Sequence, residues 1–202
     1  MFTYMILGIT FGFAAAVQPG PLSTYLISQT LSNGWKRTIP ATLSPLISDG
    51  PIALLALFVL SRVPPDMIQW LRFFGGIFVL YLAFGAWKSW KKFDEKAIPE
   101  NKSGIHSIRE ATIVNFLNPS PYLGWSLVIG PLLLKGWRES PVNGIALLSG
   151  FYITMILSLC GIIFLFFLAR NIGPKVNKWL VGLSALALAC FGIYQIWMGF
   201  AG

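Results

Sequence analysis

Charge is scarce in this chain. Of its 202 residues only 11% are Asp, Glu, Lys or Arg, while 55% are apolar; a soluble domain carries about 25% charged residues. The mean hydropathy is +0.70. One small core cannot hide that much apolar surface, so lipid is the expected solvent for most of the chain. Histidine and cysteine are almost missing: there is one His and two Cys. No HExxH, no CxxC and no metal-ligand spacing occurs. The sequence therefore offers no metal site and calls for no cofactor. Cys160 and Cys190, deep inside apolar runs, read as small buried apolar residues, and His106, in the most polar stretch, reads as a solvated side chain. The N-terminus lacks the basic segment of a signal peptide, although Ala14 to Ala16 resembles a cleavage site. It reads as a retained membrane helix.

What is present is a series of long apolar runs. Six are expected to be membrane helices, over about 4–31, 39–61, 67–90, 108–134, 141–169 and 174–200. The long polar stretch 91–110 separates two halves, with a first repeat over 1–93, a cytoplasmic linker over 94–107 and a second repeat over 108–202 of one transmembrane domain. The net charge of +8 comes from basic residues at the edges of the runs rather than in a patch, which argues against a nucleic-acid partner. Six spans put Lys36, Arg37, Lys88, Lys91, Lys92, Lys96, Lys102, Arg109, Arg170, Lys175 and Lys178 on one side. Arg62, Arg72, Lys135 and Arg138 fall on the other. The positive-inside rule makes the richer side cytoplasmic and both termini external. Trp35, Trp87, Trp90, Trp137, Trp179 and Trp197 suit interfacial anchoring.

The chain also repeats itself. "QPGP" (18–21) is echoed by "NPSP" (118–121), "NGWKRTIP" (33–40) by "KGWRESP" (135–141), and "FGAWKSW" (84–90) by "FGIYQIW" (191–197). Three matches in one order imply two related halves of three spans each. An odd number of spans makes the second half enter the membrane inverted, a common transporter construction. The expected fold is therefore an all-α membrane protein of two inverted three-helix repeats, with the first and fourth helices broken at Pro-x-Pro. Prolines lack the N–H that continues a helix. Backbone groups freed at mid-membrane must face protein or a wet cavity. Half-helices starting after the breaks point N–H groups inward, toward an anion. Those ending before them offer carbonyls to a cation. A zwitterion satisfies both.

"QPGP" in the first run, "SDG" in the second, "GGIFVLYLAFGAW" in the third and "NFLNPSPYLGW" in the fourth resemble the LysE/RhtB family of amino-acid exporters. The resemblance extends over nearly the whole chain. It implies amino-acid export driven by the proton gradient, in a prokaryotic cytoplasmic membrane. Pro19, Gly20, Pro21, Asp49, Asn118 and Pro119 match the family's motif positions. Many members carry a lysine after Asn-Pro where this chain has Ser120, so lysine as a substrate is not carried over. The wider superfamily also contains membrane thiol-disulfide carriers and metal exporters, which are the alternatives.

Asp49 lies midway along the second run, where a carboxylate costs about 2.5–3.5 kcal/mol to insert; such residues usually mark ion or proton paths. It is the expected proton-coupling group, against the plainer reading of an acid bonded to backbone freed by Pro45 or Pro51. Gln18, Asn115 and Asn118 sit at the breaks and suit either cavity contacts or orphan backbone groups. The expected substrate-binding set is Gln18, Pro19, Gly20, Pro21, Ser23, Thr24, Asn115, Asn118, Pro119, Pro121 and Tyr122, with Tyr25 also following a break. Glu110, beside Arg109, is expected to be an exposed acid. The expected partners are a small-molecule substrate and membrane lipid, with homo-oligomerisation left open. An intramembrane enzyme is disfavoured, because the chain has no embedded histidine and no second acid beside Asp49.

Overall fold

The computed structural model describes residues 1–58, 65–91, 104–170 and 172–201. Arg62, Lys92, Lys96, Lys102 and most of the expected linker lie outside them. All regular structure among the described residues is helical: α1 (Phe2–Val17), α2 (Pro21–Asn33), α3 (Trp35–Thr38), a 3-10 turn (Ile39–Leu43), α4 (Ser44–Phe58), α5 (Pro65–Lys91), α6 (Gly104–Phe116), α7 (Pro119–Gly124), a π-helical turn (Trp125–Ile129), α8 (Gly130–Glu139), α9 (Pro141–Arg170) and α10 (Pro174–Ala201). Five helices begin on a proline, where the missing N–H breaks no bond and the fixed φ suits the first turn. Gly34 ends α2 at φ +85°, a conformation that favours glycine. Helix α6 begins at Gly104, inside the stretch read as linker.

Four helical stretches are long and apolar enough to cross a membrane: Trp35–Ala56, Gln69–Lys88, Pro141–Arg170 and Lys175–Phe200. A fifth forms if α1 and α2, bent by 63°, count as one broken span. The fourth expected span is not among these stretches. Residues 108–134 fall across α6, α7, the π-helical turn and α8, and none of these pieces is long enough to cross by itself. Pro119, Pro121 and Pro131 interrupt the run, and the polar residues around them dilute its hydropathy. Large apolar side chains such as Phe2, Leu54, Phe74, Leu157 and Trp197 stand exposed around the bundle, as on a surface wetted by lipid.

Two tight helix pairs frame the molecule, α1 on α9 and α5 on α10. Small residues permit the close approach. A Cβ on Gly150 would lie 2.6 Å from the Met5 carbonyl oxygen, and one on Gly76 would lie 2.7 Å from that of Gly192. Between these pairs, α4 and the 3-10 turn pack on α6. Tyr25, Leu26, Ile52, Leu159 and Leu188 are fully buried where the layers meet. At one end, Arg170 Nη1 donates to the Thr30 carbonyl at 3.4 Å, and Gly104 abuts Pro40. This end carries the connections read as basic. Cys190 is exposed and Cys160 only partly buried, which corrects their reading as buried core.

Candidate functional site

Both expected breaks are present, and they resolve their backbone groups in different ways. Helix α1 stops at Val17, and Gly20 is the extended residue before α2, at φ −172° and ψ 179°. Ser23 Oγ accepts the Gly20 N–H at 3.1 Å. Its single hydrogen serves either the Gly20 or the Gln18 carbonyl, at 3.1 and 3.3 Å. The Leu22 and Ser23 N–H groups start α2 without helical partners, because the ladder opens with Thr24 N–H on the Gly20 carbonyl. At the other end of the break, the last carbonyls of α1 include those of Ala15 and Ala16.

The second break closes on itself. Asn118 caps α7, its Oδ1 accepting the Ser120 N–H at 3.1 Å. Tyr122 donates its hydroxyl to the Phe116 carbonyl at 3.0 Å. Pro119 and Pro121 bring no N–H at all, and the cap takes that of Ser120. The expectation of inward N–H groups at both breaks is therefore corrected: α2 supplies them, α7 does not. Prolines placed to break a helix also delete the donors its new N-terminus would have offered.

The breaks bound a cavity of about 360 Å³. Its walls include Gln18, Pro19, Gly20 and Ser23 from the first break, Asn118, Ser120 and Pro121 from the second, Asp49 and Pro45 from α4, and Asn115 from α6. Trp125, Val128 and Ile129 of the π-helical turn and Phe151, Met155 and Leu159 of α9 complete an apolar side. Pro21, Thr24, Pro119 and Tyr122, read as substrate-binding, are not in this lining. Pro21, Pro119 and Tyr122 are buried in packing and Thr24 is half-buried. Tyr25 is not in this lining either and borders a separate cavity with Glu110. Gln18 is exposed, and its side-chain amide has no partner within the described residues, so it is available to a solute.

Asp49 is the only acid in the lining, and no Lys, Arg or His joins it there. It is 4% exposed. Asn115 Nδ2 donates to its Oδ1 at 3.1 Å and to Ser48 Oγ at 2.7 Å. The Trp125 indole and the Tyr152 hydroxyl face the same carboxylate. Its partners are thus side chains, and not backbone freed by Pro45 or Pro51. No basic side chain in the lining neutralises a charge on this carboxyl. Trp125 and Tyr152 escaped the sequence reading because an aromatic residue in a membrane helix signals packing by default. The π-helical turn that begins at Trp125, a feature often found at functional sites, is invisible in sequence.

Glu110 corrects a further expectation. It is not an exposed acid but only 8% exposed. It accepts from the Tyr25 hydroxyl at 2.7 Å and lies 3.5 Å from Gln29 Nε2. His106 Nδ1 lies 3.4 Å from its second oxygen, so the histidine is not simply solvated. Among the described residues no three His, Cys, Asp or Glu side chains gather as metal ligands.

A family model described as LysE type translocator matches residues 13–199. No curated protein and no solved structure gives a significant match.

Proposed function

The chain belongs to the LysE type translocator family, a family of membrane transporters, and from that premise we propose that its cargo is a small zwitterion, an amino acid or a close relative, exported by a secondary mechanism driven by the proton gradient. The observation that carries this reading is the cavity between the breaks, with one buried carboxylate and no basic side chain in its lining. Its volume of about 360 Å³ suits a small solute, at the low end of the ~300–1,000 Å³ range of small-molecule sites. The solute ammonium faces Asp49. Its carboxylate faces the Leu22 and Ser23 N–H groups and the amides of Gln18 and Asn118. The proton competes with the ammonium for Asp49, which couples the two flows.

The protein is a multi-pass membrane protein. Six spans in two inverted repeats, 1–93 and 108–202 joined by the linker 94–107, extend that description. Helix pairing supports the repeat: the first span packs on the fifth as α1 on α9, and the fourth packs on the second as α6 on α4 and the 3-10 turn. Inverted repeats require that correspondence. The membrane is then a prokaryotic cytoplasmic membrane with both termini outside. Single cysteines at positions 100 and 202 are expected to label from opposite faces; labelling from one face would overturn the six-span topology. A thiol-disulfide carrier is disfavoured because Cys160 and Cys190 sit on different helices, away from the cavity. A metal exporter is disfavoured because the lining offers one carboxylate, no thiol and no imidazole.

Reconstituted vesicles test the coupling. Asp49→Asn keeps the volume and removes the titrating proton. We expect it to lose uphill export while retaining downhill exchange. If Asp49→Asn vesicles still accumulate solute against its gradient with an undiminished response to a pH step, Asp49 is a structural acid.

A further inference from the structure

A second acid lies outside the central cavity, in an arrangement that parallels the first. Tyr25 stands six residues after Pro19, and Trp125 stands six residues after Pro119. An aromatic in each half faces a buried carboxylate from the other: Tyr25 donates to Glu110, and Trp125 lies beside Asp49. Glu110 borders its own cavity of about 240 Å³, with Gln29, Asn33, Tyr81 and Lys88 among its walls. A polar space of that size has room for several waters. His106, its side chain 50% exposed, touches Glu110 from the outer turn of α6.

We propose that Glu110, with Tyr25 and His106, is a second proton-binding station at the basic end of the molecule, separate from Asp49 and exchanging with water on that side. This deepens the proton-coupled reading given above and rests on it. The hydrogen-bond geometry supports both protonation states. The Tyr25 hydroxyl has two acceptors within reach, Glu110 Oε2 at 2.7 Å and the Ser107 carbonyl at 3.4 Å. With Glu110 ionised, the phenol donates to the carboxylate. A proton taken on Oε2 is donated in a hydrogen bond to the phenol oxygen, and the phenol turns its hydrogen to the Ser107 carbonyl; a proton taken on Oε1 points to His106 Nδ1, and the phenol goes on donating to Oε2. The incoming proton comes from bulk hydronium, relayed through cavity water to Oε2, or from a protonated His106, whose Nδ1–H passes to Oε1 and leaves neutral imidazole. No contact is lost in either state. An acid held only as a structural acceptor needs neither the alternative acceptor nor the exposed imidazole.

The charged and titratable groups that can bias this station are few among the described residues. Tyr25 comes from α2, and Lys36 and Arg37 come from α3, at the end where α6 begins. Tyr81 and Lys88 of α5 line the same cavity. His106 and Arg109 lie on α6 itself. Asp49 of α4 reaches α6 at Asn115, five residues or about 7.5 Å along the helix axis from Glu110. The stations are thus near neighbours joined by one helix.

Infrared difference spectra of the full-length protein in lipid, recorded across pH steps, read each buried carboxyl directly. Two protonated-carboxyl bands are expected in the wild type. Glu110→Gln should remove one and Asp49→Asn the other. Tyr25→Phe, which keeps the shape of the site, should shift the Glu110 band and leave the Asp49 band in place. Glu110→Gln should also slow solute-driven proton release on the basic side while solute counterflow persists. A Glu110→Gln spectrum that superimposes on the wild type overturns the proposal. If that variant does not fold, a Tyr25→Phe spectrum unchanged in both bands overturns it equally. Wild-type vesicles that exchange solute without moving protons would remove the coupling reading alone, because the Glu110 band decides the station independently of transport.

Discussion

The two Pro-x-Pro breaks share a motif and differ in how they are finished. At the first, Gln18 and Pro19 are exposed, a single serine ties the backbone, and the Leu22 and Ser23 N–H groups remain without helical partners. At the second, Asn118 and Pro119 are buried, and side chains take the freed groups: Asn118 holds Ser120 N–H and Tyr122 holds the Phe116 carbonyl. Nearby, Asn115 ties α6 to Ser48 and Asp49. A break left unsatisfied offers polar groups to a solute. A break that satisfies itself holds the framework and fixes the acid. On the reading proposed above, the two breaks are two copies of one device, and their local side chains divide the work between recognition and support.

Substituting the prolines should break this comparison most sharply. Pro19→Ala with Pro21→Ala allows a continuous helix through the first break, which closes the unsatisfied wall; we expect transport to be abolished in vesicles by a protein that still unfolds cooperatively. Pro119→Ala with Pro121→Ala should lose transport and stability together, since the buried packing around α7 moves. Full export by both double variants would reduce the breaks to simple kinks.

Asn115→Leu comes next in size. It leaves the buried Asp49 carboxylate without one of its donors and costs about 3 kcal/mol in thermal or denaturant unfolding. A change within error would show that the acid does not depend on Asn115. Asn118→Ala removes the cap of α7 and one of the amides that face the solute; it should cost about 1 kcal/mol, with a modest loss of transport. Ser23→Ala should be the mildest in stability, about 0.5 kcal/mol, because cavity water can replace the hydroxyl at Gly20. Its effect should appear instead as weaker apparent solute affinity. If Ser23→Ala destabilised more than Asn118→Ala, the roles given to the two breaks would be exchanged.

Much of this was legible in the residues. Low charge and long apolar runs predict lipid-facing helices, and the paired QPGP and NPSP elements locate both interruptions. Gln18, Pro19, Gly20, Ser23, Asp49, Asn115, Asn118 and Pro121 do meet around one cavity. Thr24 and Tyr122 do not, because a residue just past a break can turn to either side, and spacing along a bent chain does not say which. Glu110 was misread because its neighbours in sequence, Arg109 and the polar stretch before it, are those of a surface acid. Only the packing of α2 against α6 brings Tyr25 and Gln29 onto it.

The sequence by itself determined that the chain is a membrane protein, where its helices break, and that one acid sits deep in an apolar span. These follow from composition and from the missing N–H of proline, which act locally and need no partner. Tertiary structure alone decided which broken ends stay open, that Asn115 bonds to Asp49 with Trp125 and Tyr152 beside it, and that Glu110 is buried beside Tyr25. Each of these depends on helix rotation about its own axis. That rotation is set by which small residues, such as Gly76 and Gly150, let two helices close up, and it turns a residue toward lipid, cavity or core without any change in its position along the chain.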